Sequence, residues 1–316
     1  MGYLEHGKWQ DKWYNTEKTG GQFIREASKF RSWINNEGQF KPEANRYHLY
    51  VSYACPWASR TLIFRKLKSL EGVISYSTVH PHMMEQGWEF CEGESKDPLY
   101  NHRYLHEIYT KADSTYTGRV TVPVLWDKQL ETIVNNESAE IIRMLNSEFD
   151  EFTNSATDYY PNKLHKEIDV INEFIYKNIN NRVYRCGFAT KQQTYEKAYD
   201  DLFDALEQIE TILSQHRYLV DNILTEADWR LFVTLVRFDP VYYSHFKCNK
   251  KRIMDYPNLS NYLRDLYQYP GIAETVRFDH IKDHYYYSHP TINPTRIVPK
   301  GPEIDLNLPH NRNRFK

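Results

Sequence analysis

Cysteine is scarce in this chain. Four residues, Cys55, Cys91, Cys186 and Cys248, are spread over 316 positions at long, uneven spacings. That excludes a disulfide framework, a C-x-x-C pair and a Cys/His zinc pattern, and a reducing compartment would hold all four as thiols. Long apolar runs are also missing. No stretch approaches the ~20 residues that a membrane span needs. The opening residues, Met1 to Lys8, lack the apolar core of a secretion signal. His6 stands where a myristoylation pattern wants Ser or Thr. A cytoplasmic protein without membrane attachment is expected. Neither sign of charge dominates, with 40 basic and 42 acidic residues. There is no basic stripe, so nucleic acid is not an expected partner. The phosphate-binding, dinucleotide, hydrolase and metalloprotease motifs are absent. His102 and His106 are four apart but have no evident third ligand, and no metal is expected.

Aromatic rings, by contrast, are abundant: 26 Tyr, 15 Phe and 7 Trp. Tyrosines bury ring faces while their hydroxyls find partners, and they line pockets for flat ligands equally well. The length suits two domains. Residues 1–44 are polar and interrupted by Gly20-Gly21, and read as an extension that wraps a domain. His48 to Tyr53 alternates like a strand. Cys55 to Leu67 has helical spacing, with Pro56 placed for a first turn. Ile74 to His80 is a second strand, completing a β-α-β unit with a parallel pair. Residues 81–119 read as a long irregular loop. Val120 to Asp127 is a strand interrupted by Pro123, which demands an edge, a bulge or a cis bond. Glu131 to Val134 is another short strand. A helix from Ala139 to Leu145 follows, with Ser138 or Asn136 as its cap. The order β-α-β-loop-β-β-α is that of the thioredoxin fold.

The pattern then turns helical. Leu164 to Ile179 and Thr194 to Leu213 carry helical spacing. Thr225 and Asp228 form a capping box, with Leu224 and Trp229 as a staple. The expected organisation is α/β followed by all-α: an extension at 1–44, a thioredoxin-like domain at 45–150, a helical domain at 161–290, and a tail at 291–316 without regular structure.

The candidate chemistry begins with Cys55, which follows a strand and opens a helix. Backbone N–H groups and the positive end of the helix dipole would stabilise its thiolate. Position 58 is Ala, so a second thiol is missing and an external one is needed; glutathione is the abundant choice. Val122-Pro123 offers a strand edge to which an extended peptide can add. Ser138 near a helix N-terminus suits a carboxylate, Glu137 an ammonium, and Arg119 a second carboxylate.

At this point the sequence resembles the glutathionyl-hydroquinone reductases, the Xi class of glutathione transferases. The matching runs are Tyr53 to Arg60 (YACPWASR), Gly87-Trp88-Glu89-Phe90, Val120 to Asp127 (VTVPVLWD), Asn136-Glu137-Ser138, Val183 to Ala189, Arg237 to Tyr242, and His280 to Pro294. They are spread over nearly the whole chain. The resemblance implies a thioredoxin-like domain joined to a glutathione-transferase-type helical domain. It implies that Cys55 takes glutathione from a glutathionyl-hydroquinone as a mixed disulfide, which a second glutathione resolves. Trp88, Arg119, Val122, Pro123, Glu137 and Ser138 would hold glutathione. Tyr184, Tyr242 and one or more of Tyr285, Tyr286 and Tyr287 would line the hydroquinone pocket. A homodimer through the helical domain is implied too. The alternatives are an omega-like thioltransferase or dehydroascorbate reductase, and a non-catalytic interaction module. An intact CPWA run argues against the module. Pro81 to Gln86 departs from the more acidic residues expected before Gly87-Trp88.

Overall fold

The structure is a computed structural model that describes residues 2–315. The chain divides into two compact units. One joins the residues up to Trp13 with Glu26–Thr157 and Thr275–His284; the other joins Tyr14–Arg25, Asp158–Glu274 and the residues from Tyr285 onward.

The first unit opens with a hairpin, β1 (Tyr3–Glu5) and β2 (Lys8–Gln10). Its central elements follow in order: β3 (Tyr47–Val51), helix α1 (Pro56–Leu67) and β4 (Ser75–Thr78). Then come a short hairpin, β5 (Met83–Met84) and β6 (Gly87–Trp88), helix α2 (Leu105–Ala112) and β7 (Gly118–Arg119). β8 (Val124–Asp127), β9 (Thr132–Asn135) and α3 (Ser138–Ser147) complete it. The main sheet has the order β4-β3-β8-β9. β3 runs parallel to β4, with Leu49 opposite Tyr76, and antiparallel to β8, with Leu49 opposite Leu125. β9 is antiparallel to β8. This is the thioredoxin-like arrangement that the order of elements in the sequence predicts.

All five β3 residues are buried, although the sequence alternates like a half-exposed strand. The polar member is satisfied internally. The two ring nitrogens of His48 lie 2.8 Å from the Ser75 hydroxyl and 2.9 Å from that of Ser77. A buried polar ring is tolerated when both nitrogens are paired.

The region 81–119 is more regular than its composition suggests. It holds the β5–β6 hairpin, α2 and β7. α2 buries Leu105, Ile108 and Tyr109, a one-face pattern, and Tyr104 with Glu107 caps it. The expected cap of α3 is also corrected. Glu137, rather than Ser138 or Asn136, is the N-cap, and its carboxylate accepts from the Ala139 N–H at 3.2 Å. A carboxylate there also meets the positive helix end. Residues within 1–44 contribute a hairpin to a three-stranded sheet of order β2-β1-β7.

The second unit is helical. α4 (His165–Ile175) runs into a wider turn at Tyr176–Asn180, then α5 (Arg182–Gly187) and the long α6 (Gln192–Gln215). α7 (Glu226–Arg237) and α8 (Pro257–Tyr267) follow. α6 buries Ala198, Leu202, Phe203, Ala205, Leu206, Ile209 and Leu213 along one stripe, as helical periodicity requires. The Thr225–Asp228 capping box forms, and Asp228 also accepts from the Leu219 N–H at 3.0 Å and the Tyr262 hydroxyl at 2.8 Å. α9 spans Phe278–Ser288; its residues up to His284 belong to the first unit and those from Tyr285 to the second. Among the described residues, no helix is long and apolar enough to cross a membrane.

Candidate active site

Cys55 ends the loop after β3 and occupies the N-cap position of α1, in an extended conformation (φ −77°, ψ 120°), with Pro56 following. Proline costs the first turn nothing, because its missing N–H would have had no helical acceptor. The Cys55 side chain is half-buried. Its sulfur lies 3.6 Å from the Val122 carbonyl oxygen, and the thiol donates to it. The Val122–Pro123 bond is cis. A half-buried sulfur at a positive helix end, beside backbone, is equipped for nucleophilic chemistry on a ligand laid along that edge.

The other candidate glutathione contacts lie in the same unit. Trp88 ends β6, is 5% exposed, and stacks on His284 with ring centroids 4.8 Å apart. The Nδ1 of His284 lies 2.8 Å from the Pro81 carbonyl oxygen, so Nδ1 carries the proton and the ring orientation is fixed. Arg119 on β7 donates to the carbonyls of Lys12 and Trp13 and sits 3.4 Å from the Glu26 carboxylate. Glu137 and the buried Ser138 stand at the start of α3. The Ser138 hydroxyl lies 3.5 Å from a Glu137 carboxylate oxygen and 3.5 Å from the Nη1 of Arg60. Arg60 is 1% exposed, and its guanidinium also lies over the Trp57 ring at 4.6 Å.

In the second unit, three tyrosine hydroxyls converge. Tyr184 on α5 and Tyr285 on α9 share a hydrogen bond at 2.5 Å, and Tyr242, just past α7, shares one with Tyr285 at 3.0 Å. Burial, with the neighbouring Tyr184 and Tyr242 adding to it, pushes the Tyr285 hydroxyl well above the usual phenol range, so it stays protonated and able to donate. The adjacent tyrosines turn elsewhere. Tyr286 donates to the Pro240 carbonyl at 3.2 Å and meets the Ser244 hydroxyl, while the Arg296 guanidinium lies over the Tyr287 ring. The helical spacing of 285, 286 and 287 explains the split, since consecutive residues point about 100° apart.

Residue types alone did not single out Arg60, His284 or the contacts of the N-terminal segment. Arg60 sits one turn into α1, and its full burial was the missing signal; a buried guanidinium requires partners. His284 lies within the Tyr-rich run, but its stacking partner is almost two hundred positions away.

The glutathione S-transferase N-terminal domain model matches residues 54–148, and the glutathione S-transferase C-terminal domain model matches residues 192–265. The chain is 56% identical to the glutathionyl-hydroquinone reductase YqjG of Escherichia coli, over 99% of this chain and 98% of that protein. It is 51% identical to the glutathionyl-hydroquinone reductase PcpF of Sphingobium chlorophenolicum, over 97% and 98%. The glutathione-bound structure of YqjG superposes with a TM-score of 0.91 at 53% identity, covering 98% of this chain and 99% of that one. A Xi-class transferase from Natrialba magadii gives 0.93 at 49%, covering 100% and 97%. With both domain models matched and relatives this similar over nearly full length, the chain belongs to the Xi class of glutathione transferases, the glutathionyl-hydroquinone reductase family.

Proposed function

We propose that this protein removes glutathione from glutathionyl-hydroquinones, with Cys55 as the nucleophile and glutathione as co-substrate. The observation that carries the reading is the Cys55 sulfur at the start of α1, 3.6 Å from the Val122 carbonyl. That YqjG and PcpF are glutathionyl-hydroquinone reductases supports the substrate class, and the glutathione-bound YqjG structure supports the co-substrate.

In the proposed reaction the Cys55 thiolate attacks the glutathione sulfur of the conjugate. A sulfur–sulfur bond forms and the sulfur–carbon bond breaks. Its electron pair goes to the ring carbon, which takes up a proton, and the hydroquinone leaves. The enzyme is left as a Cys55–glutathione mixed disulfide. A second glutathione, as thiolate, attacks that disulfide, and oxidised glutathione leaves with the Cys55 thiolate restored. The ring carbon gains two electrons, and two glutathione sulfurs, one from the thioether of the conjugate and one from the free thiol, lose one each, so the electrons balance.

Residues 45–150 are assigned to glutathione in this proposal. Val122 and Pro123 would receive its peptide backbone. Glu137 and Ser138 would take its zwitterionic γ-glutamyl end, Trp88 would pack against it, and Arg119 would pair with a carboxylate. Residues 161–290, with Tyr285 beyond α8, would supply the phenolic side. Tyr184, Tyr242 and Tyr285 share hydroxyl contacts that suit hydroquinone oxygens. Tyr286 donates to the Pro240 carbonyl and the Tyr287 ring faces Arg296, so the assignment centres on Tyr285. A homodimer through the helical domain and a cytoplasmic setting complete the proposal on the family resemblance.

Mass spectrometry tests the central step. The protein is exposed to a glutathionyl-hydroquinone without added glutathione, and the expected result is one glutathione on Cys55 with one hydroquinone released. Conjugate left intact, or glutathione mapped to another cysteine, overturns the mechanism. Turnover of glutathionyl-menadione against that of a small mixed disulfide separates this activity from a thioltransferase.

A further inference from the structure

The N-terminal segment touches two of the side chains proposed above to hold glutathione, Arg119 and Glu137, and the turn that precedes a third, Trp88. Trp9 on β2 donates its indole N–H to the Glu85 carbonyl at 2.9 Å. Its ring lies so close to Gly87 that a Cβ there would meet Cη2 at 2.6 Å. Gly87 has φ +75°, a conformation that glycine adopts at little cost. Trp9 thereby braces the turn that delivers Trp88, and its ring also stacks on His106 at 4.7 Å. Lys12, Trp13 and Glu26 surround the Arg119 guanidinium. The Ser28 hydroxyl lies 3.2 Å from Oε2 of Glu137 and 3.1 Å from the Asn136 carbonyl. The segment then follows the β9 edge: Asn136 N–H donates to the Phe30 carbonyl at 3.1 Å, and Ser32 N–H to the Val134 carbonyl at 3.0 Å.

We propose that this segment is a working part of the glutathione site, in which Ser28 and Trp9 are positioning residues for Glu137 and Trp88. The inference rests on the glutathione assignments of the proposed function. Its physical basis is the freedom of a carboxylate. Oε1 of Glu137 is tied to the Ala139 N–H, yet the terminal torsion of a Glu side chain is broad. The Ser28 hydroxyl, shared between Oε2 of Glu137 and the Asn136 carbonyl, restrains the second oxygen. A carboxylate held at both oxygens meets an ammonium group without first losing rotational freedom, and preorganisation of this kind appears as affinity. Trp9 acts in the same sense on the Gly87–Trp88 turn. Neither residue touches Cys55, so chemistry at the sulfur is left as it was.

The test uses the full chain, glutathione titrated by calorimetry, and steady-state kinetics. Ser28→Ala is half-exposed and removes one hydroxyl, so the fold survives. It is expected to weaken glutathione binding about fivefold, as for one lost hydrogen bond. KM for glutathione should rise in parallel while kcat at saturation and the melting temperature stay unchanged. Ser28→Thr keeps the hydroxyl and should restore affinity to within about twofold of wild type. Trp9→Phe keeps an aromatic side chain but loses the indole donor and the ring atoms that lie against Gly87, and should likewise raise KM without lowering kcat. Wild-type affinity in both Ser28→Ala and Trp9→Phe overturns the inference and leaves the proposed function standing. A wild-type chain that takes up no glutathione overturns both.

Discussion

The Cys55 sulfur lies 3.6 Å from the carbonyl oxygen of Val122, a residue 67 positions along the chain. The sulfur and the strand edge are therefore within reach of a single bound tripeptide. Cys91 has no such setting; burial, with Glu89 adding to it, pushes its thiol up, which makes it the poorer nucleophile at neutral pH. Cys55→Ala is expected to abolish deglutathionylation while the protein still folds, and Cys91→Ala to keep wild-type turnover. Rates of hydroquinone release by the two variants decide the matter: full activity in Cys55→Ala removes this sulfur from the mechanism.

The place of Cys55 at the start of α1 carries its own expectation. The helix end favours a thiolate, by an effect confined to the first turn. The iodoacetamide rate at Cys55, followed against pH by peptide mapping, should show a midpoint below the ~8.5 of an ordinary cysteine. Cys91 in the same samples should react later in the titration. Equal midpoints for the two thiols would count against the helix-terminus argument.

Tyr285 is the shared partner of Tyr184 and Tyr242, so its hydroxyl organises the other two. Tyr285→Phe keeps the buried ring and removes that hydroxyl. The expected outcome is a fall of about tenfold in kcat/KM for a glutathionyl-hydroquinone, the size of a hydrogen bond or two lost. KM for glutathione should not change, since the assigned glutathione contacts are other residues. Tyr287→Phe serves as the control, because that ring engages Arg296 instead. Equal losses in both variants would remove the hydroxyl cluster from substrate recognition.

Much of the sheet and the thiol was legible in local pattern. Strand β3, helix α1 with Pro56, and the Thr225–Asp228 box each depend on neighbours within a few residues, where propensity and capping act. Helix α2 carries a weaker signal, since Leu105, Ile108 and Tyr109 sit at helical spacing inside a segment crowded with Tyr and His. The contacts of Trp9, Ser28 and His284 were not legible. They join positions 76 to 203 apart, and no periodicity records which distant backbone a side chain will meet. The same limit explains the tail. The run Tyr285-Tyr286-Tyr287 announces rings, but only the helix phase decides which one meets Tyr184.

Burial lowers several histidines, His106 and His280 among them, and the two shifted furthest bear most on the acid side of stability. Burial lowers His48 to about 4, and it lowers His245 to about 4 as well. In the unfolded chain both titrate near 6.5. Between those values the unfolded state binds more protons, so each contributes stability that is present above pH ~6.5 and lost as pH falls towards 4. At pH 5 the loss is about 2 kcal/mol for each. Asp228 opposes the trend in the second unit: burial pushes it up to about 6, so the folded state gains protons there as pH falls, and stability rises through the same window. His48 is consequently the cleaner probe. An amide can still meet the Ser75 and Ser77 hydroxyls without titrating, so His48→Gln should flatten the fall in melting temperature between pH 7 and pH 5. Thermal unfolding of both proteins across that range is the measurement, and a parallel fall in the variant would assign the acid sensitivity to other groups.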